Sequence, residues 1–479
     1  MDCILISPGD SESIYQGLSA EFSALEPPIW AGMLASGLRA ESKEVDIVDL
    51  NVQSFAVLRA KIDDTRPRLL VMVAYGSQPS ASTQTMHSAS SRARDLKAEY
   101  PELPLLFVGG HISSLPQKTM KEEACDFIAK GEGLNTIIGL LDSKDLSQVP
   151  GLYYRELDKT LTGPKDKAST DLVRDFPGVA WDLLPMASYR ANNWHCFGHL
   201  EDRSSYASIY TSLGCPFKCT FCCINAPFDS NSFRYWDPEF TAHQIHQLHH
   251  AYGVKNLKIA DEMFVLREDH YLKLCDHLIE ANDKLNIWAY ARVDTVKPKN
   301  LEKMKKAGIN WLALGIESGS KHVRDGVTKG RFTSHDIMAT VRQVKEAGIH
   351  VIGNYIFGLP DDTTLSMEET LNLAVDLNCE MANFYCAMGY PGSQLHTLIA
   401  PADLPKSWIG YSQHSYECLP LKTETLSSAE VLAFRDEAFH AYFKSSQYEK
   451  LILDKFGAPT LEHIRKMTSI KLKRKLFGD

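Results

Sequence analysis

Short apolar runs alternate with helical-period segments along most of this chain. In residues 1–142 the runs Cys3 to Ser7, Val45 to Asp49, Leu69 to Ala74, Pro104 to Val108 and Asp126 to Ala129 are each followed by a Gly, Pro or polar turn. Near-continuous apolar runs separated by helices point to parallel strands buried on both faces. Between the first two, Ile29, Met33, Leu34, Gly37 and Leu38 recur at helical spacing after Pro27 and Pro28, a good helix start. The pattern predicts a doubly wound, Rossmann-like α/β domain over residues 1–142. In that architecture ligands sit at the carboxyl ends of the strands. The loops Ser7-Pro8-Gly9, Tyr75-Gly76-Ser77, Gly109-Gly110-His111 and Lys130-Gly131-Glu132-Gly133 should therefore converge on one edge. Gly109 and Gly110 let backbone approach a bulky ligand closely.

Residues 143–200 break the rhythm with Pro150, Gly151, a hairpin pattern around Tyr153 to Thr162, and then Pro164, Pro177, Gly178 and Pro185, and they read as a structured linker. From Tyr206 the alternation returns. Strand candidates are Ala207 to Ser212, Asn256 to Ala260, Ile287 to Ala291, Trp311 to Leu314, Val351 to Phe357 and Ala382 to Cys386. Six such units fit an open (β/α)6 barrel over residues 201–395. Beyond it the chain turns helical and polar, through Trp408 and Ser427 to Phe443, giving a mainly helical C-terminal domain over residues 396–479.

Composition changes this picture little. The 479 residues are 44% hydrophobic and 23% charged, ordinary globular usage. No window offers about eighteen consecutive apolar residues, and Met1 to Pro8 carries no basic leader, so neither a membrane span nor export is expected and a cytoplasmic location is. With 51 Lys and Arg against 60 Asp and Glu, a net charge of −9 offers no general attraction to nucleic acid. The basic run Lys471, Lys473, Arg474 and Lys475 reads as a solvated helix end. Eleven cysteines in such a chain imply reduced thiols, so a tight cluster suggests a metal or catalytic site before a disulfide.

One tight cluster exists, Gly214-Cys215-Pro216-Phe217-Lys218-Cys219-Thr220-Phe221-Cys222, just after the first barrel strand. Three thiolates spaced CxxxCxxC on one loop can each hold one iron of a 4Fe-4S cluster, leaving the fourth iron open to a small molecule. A closed zinc knuckle needs four ligands, and Cys223, adjacent to Cys222, is badly placed to be the fourth. Phe221 suits packing under the loop, where it also shields the cluster. Cys379, Cys386 and Cys418 read as buried packing, and His195, Cys196 and His199 are too irregularly placed to suggest a metal.

On these residues the chain resembles the radical S-adenosylmethionine (SAM) superfamily, whose members use this motif to anchor a 4Fe-4S cluster that chelates SAM and cleaves it reductively. Lys258-Ile-Ala-Asp261-Glu262-Met-Phe264 is similar to the acidic strand-end motif that receives the SAM amino group. Ala291-Arg292-Val293-Asp294 and Gly315-Ile316-Glu317-Ser318-Gly319 are similar to the signatures beside the SAM carboxylate and ribose, and the stretch Val351 to Pro360, with Ile356, to the adenine contact. Tyr390-Pro391-Gly392-Ser393 resembles the turn after the sixth strand. The chemistry agrees: an amino acid moiety needs an anion for its ammonium, from Asp261 or Glu262, and a cation for its carboxylate, from Arg292.

The N-terminal domain resembles the cobalamin-binding module that precedes the barrel in one branch of this superfamily. The resemblance rests on Pro27 to Ala35, Val45 to Asn51, Val108-Gly-Gly-His111 with Pro116, and Lys130-Gly-Glu-Gly133. It implies cobalamin contacts from Ser7, Pro8, Gly76, Ser77, Ser82, Thr83, Gly109, Gly110, Gly131 and Glu132. His111 either approaches the corrin or closes the fourth strand. The DxHxxG motif, whose His ligates cobalt from below, is absent, and no histidine precedes His87. Several methylases of this branch also lack it, so the resemblance implies cobalamin without a His ligand and a cobalt that gives up a methyl group readily.

The implied activity is methylation of an unactivated carbon of a small-molecule substrate. The cluster would generate a deoxyadenosyl radical from SAM, the radical would abstract hydrogen, and methylcobalamin would supply the methyl group. An external electron donor such as flavodoxin or ferredoxin is implied as partner. Ring formation or rearrangement with the same cofactors, and a non-catalytic corrinoid or SAM sensor, are the alternatives. The substrate's identity is not written in the sequence.

Overall fold

The computed structural model describes residues 1–9, 11–18, 21–76, 81–157, 159–330 and 332–479. Strands β1 (Cys3–Ser7), β2 (Val45–Asp49), β3 (Leu69–Val73), β4 (Leu105–Val108) and β5 (Phe127–Ala129) pair in parallel in the order β2-β1-β3-β4-β5. Side chains alternate between the faces: Cys3 and Leu5 enter one apolar layer, Ile4 and Ile6 the other. With both faces covered, the runs read as continuously apolar. The strand order reverses between β1 and β3, so the crevice between the loops after these strands is the natural ligand position. Gly9 turns the chain after β1 at φ +78°, where a Cβ would meet the Leu50 carbonyl oxygen at 2.5 Å.

The hairpin in the segment read as a linker does more than connect. Strand β6 (Leu152–Glu156) pairs antiparallel with β5, and β7 (Lys159–Thr162) with β6, so the N-terminal sheet has seven strands. The remainder of the segment is docked as well. Phe176 and Trp181 are buried in the main apolar layer, and the Tyr189 hydroxyl donates to Asp49 Oδ2 at 3.0 Å.

Strand β8 (Tyr206–Ile209) begins the second sheet. The chain then forms a small ribbon of β9 (Ser212–Leu213) and β10 (Arg234–Tyr235) before β11 (Asn256–Ile259), β12 (Asn286–Arg292), β13 (Ile309–Glu317), β14 (His350–Phe357) and β15 (Met381–Cys386). The six strands β8 and β11 to β15 form one open, all-parallel sheet in that order. The first barrel strand stops at Ile209, short of the expected Ser212. Asp261, beyond the end of β11, accepts from the Thr211 amide at 2.6 Å and from the Thr211 and Ser212 hydroxyls, turning the chain toward β10.

Helices Ser428–Phe443 and Ser446–Phe456 cover β14 and β15. Tyr442 Oη donates to the Cys379 carbonyl at 2.6 Å, Tyr448 Oη to that of Glu380 at 3.1 Å, and Arg435 Nε to that of Phe384 at 2.8 Å. One member of the basic run departs from expectation. Lys471, Lys473 and Lys475 are exposed, but Arg474 is fully buried, paired with Asp436 at 2.9 Å and donating to the Gln413 and Ser415 carbonyls. Burial is tolerated because its donors find partners.

Candidate active site

The cysteine loop leaves β9 through Gly214, whose φ of +85° and missing Cβ admit the Ser232 carbonyl oxygen to 2.2 Å of where a Cβ would stand. Hydrogen bonds to its backbone pin the loop from several sides. Asn225 brackets Cys215, accepting from its amide at 3.1 Å and donating to its carbonyl at 2.8 Å. The Thr220 amide donates to Val327 and the Leu395 amide to Thr220, while the Thr328 hydroxyl donates to the Lys218 carbonyl at 2.7 Å. Phe221 packs with Ile356, Val323 and Leu359 in a small apolar cluster beneath.

Cys215, Cys219 and Cys222 all carry free thiols. Burial pushes the Cys215 thiol up to about 11 and the Cys222 thiol well above its ordinary value. Bare thiolates are disfavoured in this setting, and metal ligation is what deprotonates such a group. Three free sulfurs on a loop fixed by its backbone fit the three protein ligands of a 4Fe-4S cluster.

Arg292, at the end of β12, lies over this loop. Its guanidinium stacks on Phe217 with Cζ 3.9 Å from the ring centroid, approaches Cys219 Sγ at 3.6 Å, and makes a two-pronged pair with Asp294 at 2.9 Å. It also donates to the Lys329 carbonyl. Lys329 is a site residue that the sequence motifs did not reveal. Its ammonium pairs with Glu317 at 2.6 Å, with both side chains buried. A register shift between β13 and β14 next to Gly315 and Glu317, together with Glu317 at φ +66°, sets the carboxylate's direction. A Cβ on Gly315 would stand 2.6 Å from the Lys329 ammonium. The available signal was the Lys329-Gly330 pair following helix Lys321–Gly326.

The adjacent acids divide their work. Asp261 is fully engaged by Thr211 and Ser212, whereas Glu262 makes no hydrogen bond or ion pair with another described residue and lines a cleft with Gly214 and Cys223. Burial pushes the Glu262 carboxyl up to about 8, against the opposing pull of Lys258. Ser318 is not brought to the cleft. Its hydroxyl lies 3.1 Å from Thr370 Oγ1 inside the barrel wall and accepts from the Ser320 amide.

The same cleft is lined from the N-terminal sheet by Gly76, Ser82 and Gly110. It adjoins a cavity of about 340 Å³ lined by Ser7, Pro8 and Tyr75 on one side and by Lys258, Tyr290 and Asn354 of the barrel on the other. Trp30 stacks on Tyr75 at 4.3 Å, and the buried Tyr75 hydroxyl has no partner among the described residues, which suits a ligand offering hydrogen-bond acceptors. The one histidine among the described residues lining this cavity is His414, from the C-terminal domain.

The other N-terminal candidates are structural neighbours of this wall. Ser82 Oγ donates to the Ala74 carbonyl and accepts from the His111 amide at 3.0 Å. Thr83 Oγ1 lies 3.2 Å from His111 Nδ1, and the His111 ring meets Trp408 edge-on at 4.3 Å, so both face the C-terminal segment. His111 lies within helix Gly110–Ser114, just past β4. A Cβ on Gly109 would stand 2.4 Å from the Ala74 carbonyl oxygen. The Gly131 amide donates to Ser113 Oγ at 3.0 Å. Glu132 pairs with Arg234 at 2.8 Å and accepts from the Ser169 amide at 2.7 Å, tying the N-terminal sheet to the barrel ribbon. Ser77 lies outside the described residues.

Comparison with known proteins agrees with this geometry. Residues 209–374 match the radical SAM superfamily, and residues 15–141 match the B12 binding domain. The chain is 29% identical over 379 residues to an uncharacterised methyltransferase of Pyrococcus horikoshii, covering 77% of each chain. It is 26% identical over 402 residues to the anaerobic magnesium-protoporphyrin IX monomethyl ester cyclase of Rubrivivax gelatinosus, covering 80% of this chain and 68% of that one. The fold matches that of the radical SAM methyltransferase TsrM of Kitasatospora setae, solved with cobalamin and a [4Fe-4S] cluster bound. The TM-score is 0.66 at 17% identity, over 85% of this chain and 79% of that one. The chain thus carries a B12-binding domain followed by a radical SAM domain, and it belongs to the cobalamin-binding radical SAM enzymes, whose cofactors are a 4Fe-4S cluster, SAM and cobalamin.

Proposed function

We propose that this enzyme methylates an unactivated carbon of a small-molecule substrate. The observation that carries the reading is the common cavity: the loops at the carboxyl ends of the N-terminal strands, with Ser7, Pro8 and Gly76, face the inner surface of the barrel sheet, with Lys258, Tyr290 and Asn354, and the adjoining cleft reaches Gly214 and Glu262. When bound, the cluster would supply the electron that cleaves SAM and cobalamin the methyl group. Cys215, Cys219 and Cys222 are the ligands proposed for the cluster, and the Asn225 and Thr328 side chains, bonded to the loop's backbone, fix it before any metal binds. Glu262, without a hydrogen-bond or ion-pair partner among the described residues, receives the SAM ammonium, while Arg292 and Lys329 place positive charge where a carboxylate would lie. Ile356 and Phe221 offer an apolar seat for the adenine. Trp30, Tyr75, Tyr210, Trp288 and Tyr290 exclude water from the cavity and hold the substrate near both cofactor sites. The electron comes from outside the chain, through a donor of the flavodoxin or ferredoxin kind.

The cyclase relative favours one second reading, ring formation with the same cofactors and no net methyl transfer. Anaerobically reconstituted enzyme, reduced chemically and given SAM labelled in its methyl group together with an extract of producing cells, separates the two. Methylation yields deoxyadenosine and a product carrying the label. Deoxyadenosine with an unlabelled product favours cyclisation, and no turnover of SAM overturns both readings.

A further inference from the structure

The outer face of the barrel carries a second cluster of metal-ligating side chains, remote from the cysteine loop. His246 and His250 stand one turn apart on helix Pro238–Tyr252, with ring centroids 4.1 Å apart. Asp283 follows the adjacent helix Glu268–Ala281. His246 Nδ1 lies 2.9 Å from one oxygen of the Asp283 carboxylate and His250 Nε2 3.2 Å from the other. One ligand atom from each residue falls within 4.8 Å of the others. The Asp283 side chain is only 7% exposed, while the imidazoles open to solvent at 46% and 58%. Asn282 and Lys284 both adopt left-handed backbone, φ +53° and +52°, a turn that aims the carboxylate between them at the helix.

We propose that His246, His250 and Asp283 bind one divalent cation of the zinc class, with solvent completing the coordination. Histidines at i and i+4 on one helical face are a chelating pair. Two imidazoles and one carboxylate select zinc and its transition-metal neighbours over magnesium or calcium. A tetrahedral ion with bonds of about 2.0–2.1 Å sets its ligand atoms roughly 3.3 Å apart, and the three ligand atoms, all within 4.8 Å of one another, reach that spacing by side-chain rotation alone. A cation would neutralise the largely buried carboxylate and replace the protons that the imidazoles share with it. The site lies near the amino ends of β11 and β12, whereas Cys215, Asp261 and Arg292 lie at the carboxyl ends of their strands. On a barrel that end serves stability rather than chemistry, so the ion braces two consecutive barrel helices.

The test uses cluster-loaded holoenzyme dialysed without oxygen against zinc sulfate buffered by a weak chelator, followed by metal analysis and thermal unfolding. One zinc per chain with iron undiminished, and a rise in melting temperature, are expected. His246→Ala combined with His250→Ala should lose that zinc or bind it at least tenfold more weakly, and should lose the rise. His249→Ala, whose ring bonds the Val254 carbonyl, should behave as wild type. Equal zinc in the double variant and wild type, or none in wild type, overturns the site. Because zinc is counted directly, the result does not depend on methyl transfer.

Discussion

Lys329 and Glu317 form a buried ion pair, ammonium to carboxylate 2.6 Å, within the wall that faces the cysteine loop. Removing one partner strands the other charge. Lys329→Met should therefore cost roughly 3–5 kcal/mol in urea unfolding, and adding Glu317→Gln should recover part of that loss. A double variant as unstable as the single one would count against a coupled pair.

Asp261 and Glu262, adjacent in sequence, should respond in opposite ways to loss of charge. Asp261→Asn disturbs a carboxylate that accepts three bonds and should destabilise the fold by about 1–3 kcal/mol. Glu262→Gln removes a carboxyl that burial pushes up to about 8, so it should raise the melting temperature at neutral pH while weakening SAM binding about tenfold, a loss of ~1.4 kcal/mol. Equilibrium dialysis with SAM and calorimetry on both variants check the contrast.

Replacing Cys215, Cys219 or Cys222 singly with Ala should lower iron from about four atoms per chain to near none. Cobalt after growth with cobalamin should be unaffected, since the corrin cavity is lined by other loops. Metal analysis of anaerobically purified protein reads both at once. Cys223→Ala, by contrast, should retain its iron.

Burial lowers the His111 pKa to about 3. The unfolded chain takes up this proton near pH 6.5 and the folded chain resists it. The group's contribution to stability is therefore complete above about pH 6.5 and is lost as pH falls toward 3, with a slope of up to ~1.4 kcal/mol per unit. Urea unfolding at pH 7 and pH 5.5 should show a shallower pH dependence in His111→Gln than in wild type. An unchanged slope would mean the imidazole is reached by water.

Much of this arrangement was legible in the chain. The strands emerged because runs such as Leu69–Val73 and Leu105–Val108 are apolar on both faces, and the cluster motif is local, all three sulfurs lying within eight residues. What escaped depends on pairings distant in sequence. The hairpin at Leu152–Thr162 announced itself by its turn, yet nothing local said which sheet edge would receive it. Arg474 sits among lysines and looks solvated until Asp436 is brought beside it. Ser318 matched a motif but turns into the barrel wall, because Thr370 waits there.

A single apolar layer runs without interruption from Cys3 and Trp30 through Phe176 and Trp181 to Ala207 and Trp288. The two halves of the enzyme are thus welded rather than hinged, and prising them apart would wet that whole seam. Cofactors and substrate must therefore reach the chamber past surface loops rather than by a parting of the two halves.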